Sequence, residues 1–199
     1  MLIPRPETEL VAETALQLAR AVTPRVVVDL GTGSGAIGLS LAKELPLDGT
    51  SVWLTDNSLD ALDVARANAA GIGRAGANVR IAHGDWFAAL PGELRGAIDV
   101  LVSNPPYIAV GDPEVDANVV AHEPHAALYS GADGLDALRT VIRGAATWLR
   151  TGGALVAEIG NRQGDAVRML CVEAGLQQVE VRRDYAGRDR ILVARRYAD

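Results

Sequence analysis

The 199 residues are 49% hydrophobic and 22% charged, enough apolar mass for one domain with a sizeable core and too much for a disordered chain. Nineteen Lys and Arg stand against 25 Asp and Glu, a net charge of −6 that offers no broad attraction to a phosphate backbone and demotes nucleic acid as a partner. A single cysteine, Cys171, excludes an internal disulfide framework and a cysteine-rich zinc site, and no apolar run reaches the roughly 18 residues of a membrane span, so a cytoplasmic chain with no membrane partner is expected.

In chain order, Leu10, Val11, Thr14, Ala15 and Leu18 recur at helical spacing behind Thr8, which reads as an N-cap. Residues 25–30 form a branched run containing Asp29, the pattern of a parallel strand buried on both faces. A helix over 36–45 is stopped by Pro46, a second strand over 51–55 runs to Asp56, and a helix over 59–68 follows. Strands are expected over 79–82 and 98–103. The most amphipathic helix covers 135–149, with Gly152-Gly153 stopping it. A strand over 154–159, a helix over 165–174 and strands over 179–182 and 191–194 complete the chain.

Seven strands alternate with helices until the last two, which a short loop through Gly187 joins directly. Alternation requires right-handed crossovers, so the fold class is α/β: a seven-stranded, mostly parallel, doubly wound sheet ending in an antiparallel hairpin. Ligands of such sheets bind beyond the carboxyl ends of the strands, near the switch in strand order.

The residues at those strand ends carry chemistry. Asp29-Leu30-Gly31-Thr32-Gly33-Ser34-Gly35 closes the first strand and opens a helix, and its alternate glycines let a ligand lie against the backbone. Gly33, Gly35 and Gly38 also satisfy Gly-x-Gly-x-x-Gly, a weak dinucleotide signal. Asp29 opposes that reading, because a carboxylate would repel a pyrophosphate; it suits a cationic ligand such as S-adenosylmethionine (SAM). Asp56 is positioned for a ribose diol, which NAD sites share. Asp85 could accept from an adenine amino group with Trp86 on the ring, while Phe87 reads equally well as core.

The strand over 98–103 runs into Asn104-Pro105-Pro106-Tyr107, where two prolines hold a polar residue rigidly. The Asn104 side-chain oxygen and the Pro105 carbonyl can together accept both hydrogens of a planar NH2 group, with Pro106 and Tyr107 against the group that carries it. Such a grip favours pyramidal nitrogen and aims its lone pair at a methyl carbon. No nucleophilic side chain and no metal is needed, and His83, His122 and His125 show no ligand spacing.

These residues resemble the protein glutamine-N5 methyltransferases specific for peptide chain release factors, which act in translation termination and belong to the Rossmann-like class I SAM-dependent methyltransferases. The resemblance runs through Ile3-Pro4-Arg5-Pro6-Glu7-Thr8-Glu9, Asp29 to Gly35, Asp85-Trp86-Phe87, Asn104 to Tyr107 and Glu123-Pro124. It continues through Gly131, Asp133-Gly134-Leu135, Glu158-Ile159-Gly160, Gln163-Gly164 and Arg183-Asp184-Tyr185-Ala186-Gly187-Arg188-Asp189. It implies SAM as methyl donor, leaving S-adenosylhomocysteine, and a Gly-Gly-Gln glutamine of a release factor as substrate. Asp29, Gly31, Thr32, Gly33, Ser34, Gly35, Asp56, Asp85, Trp86 and Asn104 would hold SAM; Asn104, Pro105, Pro106 and Tyr107 would hold the substrate, with Asn104, Pro105 and Tyr107 catalytic.

Arg5, Glu7 and Thr8 are pocket-wall candidates, although Glu7 and Thr8 serve equally as a helix start, and Glu123-Pro124 either shapes the substrate side or braces a loop. Residues 1–199 are expected to form the catalytic domain alone, without the helical N-terminal docking domain that family members carry ahead of the Ile-Pro-Arg-Pro segment. Competing readings are glutamine methylation of a ribosomal protein, an adenine-N6 or guanine-N2 nucleic-acid methyltransferase, and a non-catalytic SAM-binding subunit. The C-terminal arginines, Arg182, Arg183, Arg188, Arg190, Arg195 and Arg196, read mostly as solvated surface, and Cys171 as core.

Overall fold

A computed structural model describes residues 6–23, 25–112 and 124–198. Its strands are β1 (Arg25–Leu30), β2 (Thr50–Asp56), β3 (Val79–His83), β4 (Ile98–Ser103), β5 (Leu149–Glu158), β6 (Gln177–Arg183) and β7 (Asp189–Arg195). They form one sheet in the order β3-β2-β1-β4-β5-β7-β6. β1 pairs in parallel with both β2 and β4, so the strand order switches direction between β1 and β4. β7 is antiparallel to β5 and to β6, so it alone runs against the other six strands, as the closing hairpin requires.

Alternation along each central strand feeds two cores. Val27, Val52, Leu54, Val100, Val102 and Val156 face α1 (Pro6–Arg20) and α2 (Ala36–Glu44), which contribute Val11, Ala15 and Ala19, and Ile37, Leu39 and Leu41. On the opposite face Val28, Leu101 and Leu155 pack under α5 (Asp136–Trp148) and α6 (Gly164–Glu173). The stripe of α5 (Ala137, Leu138, Val141, Ile142, Ala145 and Trp148) is buried at helical spacing. α3 (Leu59–Gly71) packs along β2 and β3, and a short α4 (His125–Leu128) comes between β4 and α5 in the chain. Cys171 is core, as expected, and burial pushes its thiol up to about 12.

Three expectations are corrected. The amphipathic helix stops at Trp148, and β5 begins at Leu149 and runs through Gly152 and Gly153. The Leu149 N–H still closes the helix on the Ala145 carbonyl while the residue pairs with Ile98 in the ladder, and the Gly152 N–H donates to the Arg196 carbonyl, so the chain passes from helix to sheet with no loop between. Thr8 lies inside the first turn of α1 and does not cap it, because the helix already begins at Pro6. Arg190 is 9% exposed and donates to the Ile159 carbonyl, and Arg195 donates to the Gly152 carbonyl, so these two brace strands and are not solvated surface.

Candidate active site

The loop after β1 and the loop after β4 diverge at the switch in strand order, and a cleft opens between them. Gly31, Gly33 and Gly35 all have left-handed φ (69°, 58° and 84°), which lets the chain leave β1, turn and enter α2 within five residues. The Ser103 hydroxyl donates to the Leu30 carbonyl at 2.7 Å and ties the two diverging strand ends together. Gly38, third glycine of the dinucleotide-like pattern, donates its N–H to Asp29 Oδ2 and packs on Leu54, a structural task.

The cleft has two lobes. The larger, about 430 Å³, is lined by Gly31, Gly33, Asp56, Asn57, Ser58 and Asp60 on the β1 and β2 side, by Gly84, Asp85 and Trp86 after β3, and by Asn104, Pro105 and Pro106 after β4. Its size suits a nucleoside. The smaller, about 50 Å³, is lined by Thr8, Asp29, Gly31, Thr32, Gly33, Ser34, Ala36, Ile37 and Asn104. It sits at the N-terminus of α2, where free N–H groups and the helix dipole favour a carboxylate. Gly31, Gly33 and Asn104 border both lobes.

Asp29 is buried to 1% exposure on the floor of the small lobe. Its Oδ2 accepts from the Thr32 hydroxyl at 2.6 Å and from Gly38 N–H at 2.9 Å, whereas its Oδ1 is buried with no hydrogen-bond partner. Burial raises this carboxyl to about 6, against the two hydrogen bonds, with the nearby Asp56 charge adding to the rise. An orphaned carboxylate oxygen beside a helix N-terminus fits an amino acid zwitterion, the ammonium on Asp29 and the carboxylate toward the amides. The donor set therefore fits the methionine end of SAM.

Asp56 Oδ2 accepts from Gly33 N–H and Oδ1 from Ser58 N–H, both at 2.9 Å, so this carboxylate ties the glycine loop to the start of α3 while still lining the large lobe. Asp85 is exposed at the rim. Trp86 has φ of 45°, uncommon for a bulky residue, and its ring lies over Gly31, where an added Cβ would stand 3.7 Å from it. Phe87 turns the other way and stacks on Trp148 with ring centroids 5.7 Å apart, the core reading of that residue.

Asn104 donates from Nδ2 to Thr8 Oγ1 at 3.3 Å, and its Oδ1 is buried without a partner. The Thr8 hydroxyl in turn donates to Glu158 Oε2 at 2.9 Å, and the Tyr107 hydroxyl donates to Glu158 Oε1 at 3.2 Å. Glu158 ends β5, beside the end of β4, and is 1% exposed. Burial pushes its carboxyl up, and the Thr8 and Tyr107 hydrogen bonds and Arg190 oppose that. Gln163 grips the back of the loop, donating from Nε2 to the Tyr107 and Gly134 carbonyls at 2.9 and 3.1 Å and accepting from Gly160 N–H at 2.8 Å.

The expected residues thus converge, with two exceptions. Gly35 borders neither lobe; it caps α2 against Leu39. Tyr107 borders neither lobe either, its hydroxyl being turned to Glu158. Arg5, His122 and Glu123 lie outside the described residues, while Pro124 lines the large lobe. The sequence around Glu158 carries no local signal for its place beneath Thr8. Glu7 and Arg188 approach to 3.5 Å, and Asp184 binds both Arg188 and Arg190, so the opening Pro-Glu-Thr-Glu and the late Arg-Asp-Tyr-Ala-Gly-Arg-Asp meet behind Asn104. The Arg188 backbone and guanidinium hold the Asp184 carboxyl below the usual range.

Comparison with known proteins agrees with this geometry. The methyltransferase small domain family model matches residues 8–186. A release factor glutamine methyltransferase of Xylella fastidiosa is 50% identical over 194 residues, covering 98% of this chain and 68% of that protein's length. The solved protein-(glutamine-N5) methyltransferase (release factor-specific) of Alicyclobacillus acidocaldarius superposes with a TM-score of 0.54 at 27% identity, covering 98% of this chain and 95% of that one. A ribosomal protein L11 methylase of Lactobacillus delbrueckii shares the fold at a TM-score of 0.67 and 20% identity, covering 97% and 81% of the two chains. Motif, cleft and relatives agree: the chain belongs to the release factor glutamine methyltransferase family.

Proposed function

We propose that this chain transfers a methyl group from SAM to the side-chain amide nitrogen of a glutamine in a peptide chain release factor, in the cytoplasm where release factors work. The observation that carries the reading is the buried, unpartnered Oδ1 of Asn104 at the border of the two lobes. A buried acceptor without a donor costs about 1–3 kcal/mol, and an incoming amide N–H relieves that cost.

When bound, SAM supplies a methyl carbon on a positive sulfur that leaves as a neutral thioether. Asp29 Oδ1 would hold its ammonium, Asp56 its ribose hydroxyls, and Trp86 and Asp85 its adenine. The glutamine amide nitrogen is a poor nucleophile because its lone pair is delocalised. Asn104 Oδ1 accepts one of its hydrogens and the Pro105 carbonyl the other, which weakens that delocalisation and fixes the direction of the lone pair. The nitrogen–carbon bond forms as the carbon–sulfur bond breaks, and the surplus proton passes from nitrogen to water. The work is positioning, so no general base is called for at the transition state.

The test is mass spectrometry of a release factor incubated with the protein and SAM, with duplex DNA and a ribosomal protein in parallel. One methyl on the Gly-Gly-Gln glutamine is expected. A methylated base or a methyl only on the ribosomal protein overturns the reading. Asn104→Ala is expected to lower methyl transfer by about 100- to 1,000-fold, the scale of removing one preorganised transition-state contact, with SAM still bound. A collapse of SAM affinity in that variant would make Asn104 a cofactor residue first.

A further inference from the structure

An asparagine amide is nearly symmetric in shape, so packing alone does not decide which end faces a substrate. At Asn104 the choice matters: the oxygen can accept an amide N–H, and the NH2 would repel one. Three hydrogen-bonding groups in series lie behind it. Glu158 as a carboxylate is acceptor-only, so Thr8 must spend its single hydroxyl hydrogen on Oε2. The Thr8 oxygen then has only lone pairs to offer, so Asn104 must turn Nδ2 toward it. Oδ1 is left at the border of the two lobes with no donor from the protein.

We propose that Glu158 is a positioning residue for methyl transfer: acting through the Thr8 hydroxyl, it dictates the orientation of the Asn104 amide and keeps Oδ1 directed to the substrate. The inference rests on the proposed role of Asn104 in gripping the glutamine amide. Glu158 borders neither lobe, so its part in the reaction is played through its neighbours. The Tyr107 hydroxyl on Oε1 adds a second donor to the same carboxylate, which fixes its plane and couples both ends of the Asn-Pro-Pro-Tyr loop to one group. The chain of contacts spans 150 residues of sequence between Thr8 and Glu158. It also gives the opening Pro-Glu-Thr-Glu a task in the reaction that a helix start alone does not require.

Glu158→Gln tests this with almost no change of shape. A glutamine presents one acceptor and one NH2, so either the Thr8 or the Tyr107 bond must reverse, and a reversed Thr8 bond lets the Thr8 hydroxyl donate to Asn104 Oδ1. The expected result, measured with an intact release factor and SAM, is a fall in kcat of about 10- to 100-fold, the scale of a misdirected reacting group. KM for the release factor and the Kd for SAM by calorimetry are expected to stay within about threefold. The melting midpoint is measured alongside, because a structural role for Glu158 would lower it together with kcat. Thr8→Val is expected to lose kcat to a similar extent and Thr8→Ser to recover most of it, because serine restores the hydroxyl. Unaltered kcat in both Glu158→Gln and Thr8→Val, with wild-type protein methylating the glutamine, overturns the inference. A parallel loss of kcat and melting midpoint that Thr8→Ser does not repair assigns Glu158 a structural role and overturns it equally. Failure of the wild-type protein to methylate any glutamine would instead sink the proposed function on which the inference stands.

Discussion

Asp29 sets stability against binding. Its carboxyl is raised from an ordinary 3.8 to about 6 by burial. Below about pH 3 it is neutral in both folded and unfolded chains and costs nothing. As pH rises from 3.8 to about 6 the unfolded chain ionises while the folded one does not, so folding loses stability, reaching about 3 kcal/mol above that window for a shift of this size. Asp29→Asn keeps an acceptor for Thr32 and Gly38 and removes that loss. Its melting midpoint is expected to exceed that of the parent at about pH 7.5, with the difference disappearing near pH 3. The same variant is expected to bind SAM about 10- to 100-fold more weakly, since a charge-assisted hydrogen bond is lost. In the parent, SAM affinity should decline by about tenfold per pH unit below 6, readable by calorimetry. A melting midpoint that falls in the variant at pH 7.5 would show that the ionised carboxylate is paid for within the unliganded fold.

At the scale of elements, the Asn-Pro-Pro-Tyr loop is held from behind as firmly as the prolines hold it from within. Gly134 precedes α5 with φ of 75°, and a Cβ there would lie 2.5 Å from the Tyr107 carbonyl oxygen. Gln163, just ahead of α6, joins the Gly134 and Tyr107 carbonyls through one amide. The three segments are thus one unit, and Gly134→Ala should displace the loop that carries Asn104. Methyl transfer is expected to fall about 100-fold, the cost of a displacement of about 1 Å at a reacting group. SAM-dependent stabilisation, which follows free ligand and Kd, should persist because the glycine loop after β1 is untouched. Loss of SAM binding in this variant would show that the two loops are coupled through the fold.

Over the whole molecule, β5 contributes side chains to both cores. Leu155 is fully buried on the α5 and α6 side, while Val156 is fully buried on the α1 and α2 side. Leu155→Ala is expected to destabilise by about 2–5 kcal/mol, measured by urea unfolding with an unchanged slope. Because β5 also ends in Glu158, the variant should lose activity only in proportion to the unfolded fraction; a larger loss would mean that the end of β5 shifts. No helix among the described residues is long and apolar enough to cross a membrane. The acidic lining of Asp29, Asp56, Asp60 and Asp85 complements a net cationic ligand.

What the residues determined by themselves was the fold class and the turns at the strand ends. Branched runs at 25–30 and 98–103 match β1 and β4 residue for residue, because a strand buried on both faces leaves no other composition. The turn chemistry of the glycine loop and of Asn104 to Tyr107 marked the cleft, since glycines and prolines at a strand end constrain backbone irrespective of the rest of the fold. Contacts between distant segments were decided only in three dimensions. Helix and strand merge at Leu149 because Ile98 supplies a ladder partner, which no window around Gly152 contains. Arg190 is buried by the carbonyl of Ile159 and by Asp184, although its neighbours in sequence read as surface. Above all, an orphaned acceptor is a property of everything around it. Asp29 and Asn104 were legible as polar residues at strand ends, but which of their oxygens stays unpartnered depends on Thr32, Gly38, Thr8 and, 150 residues from Thr8, Glu158.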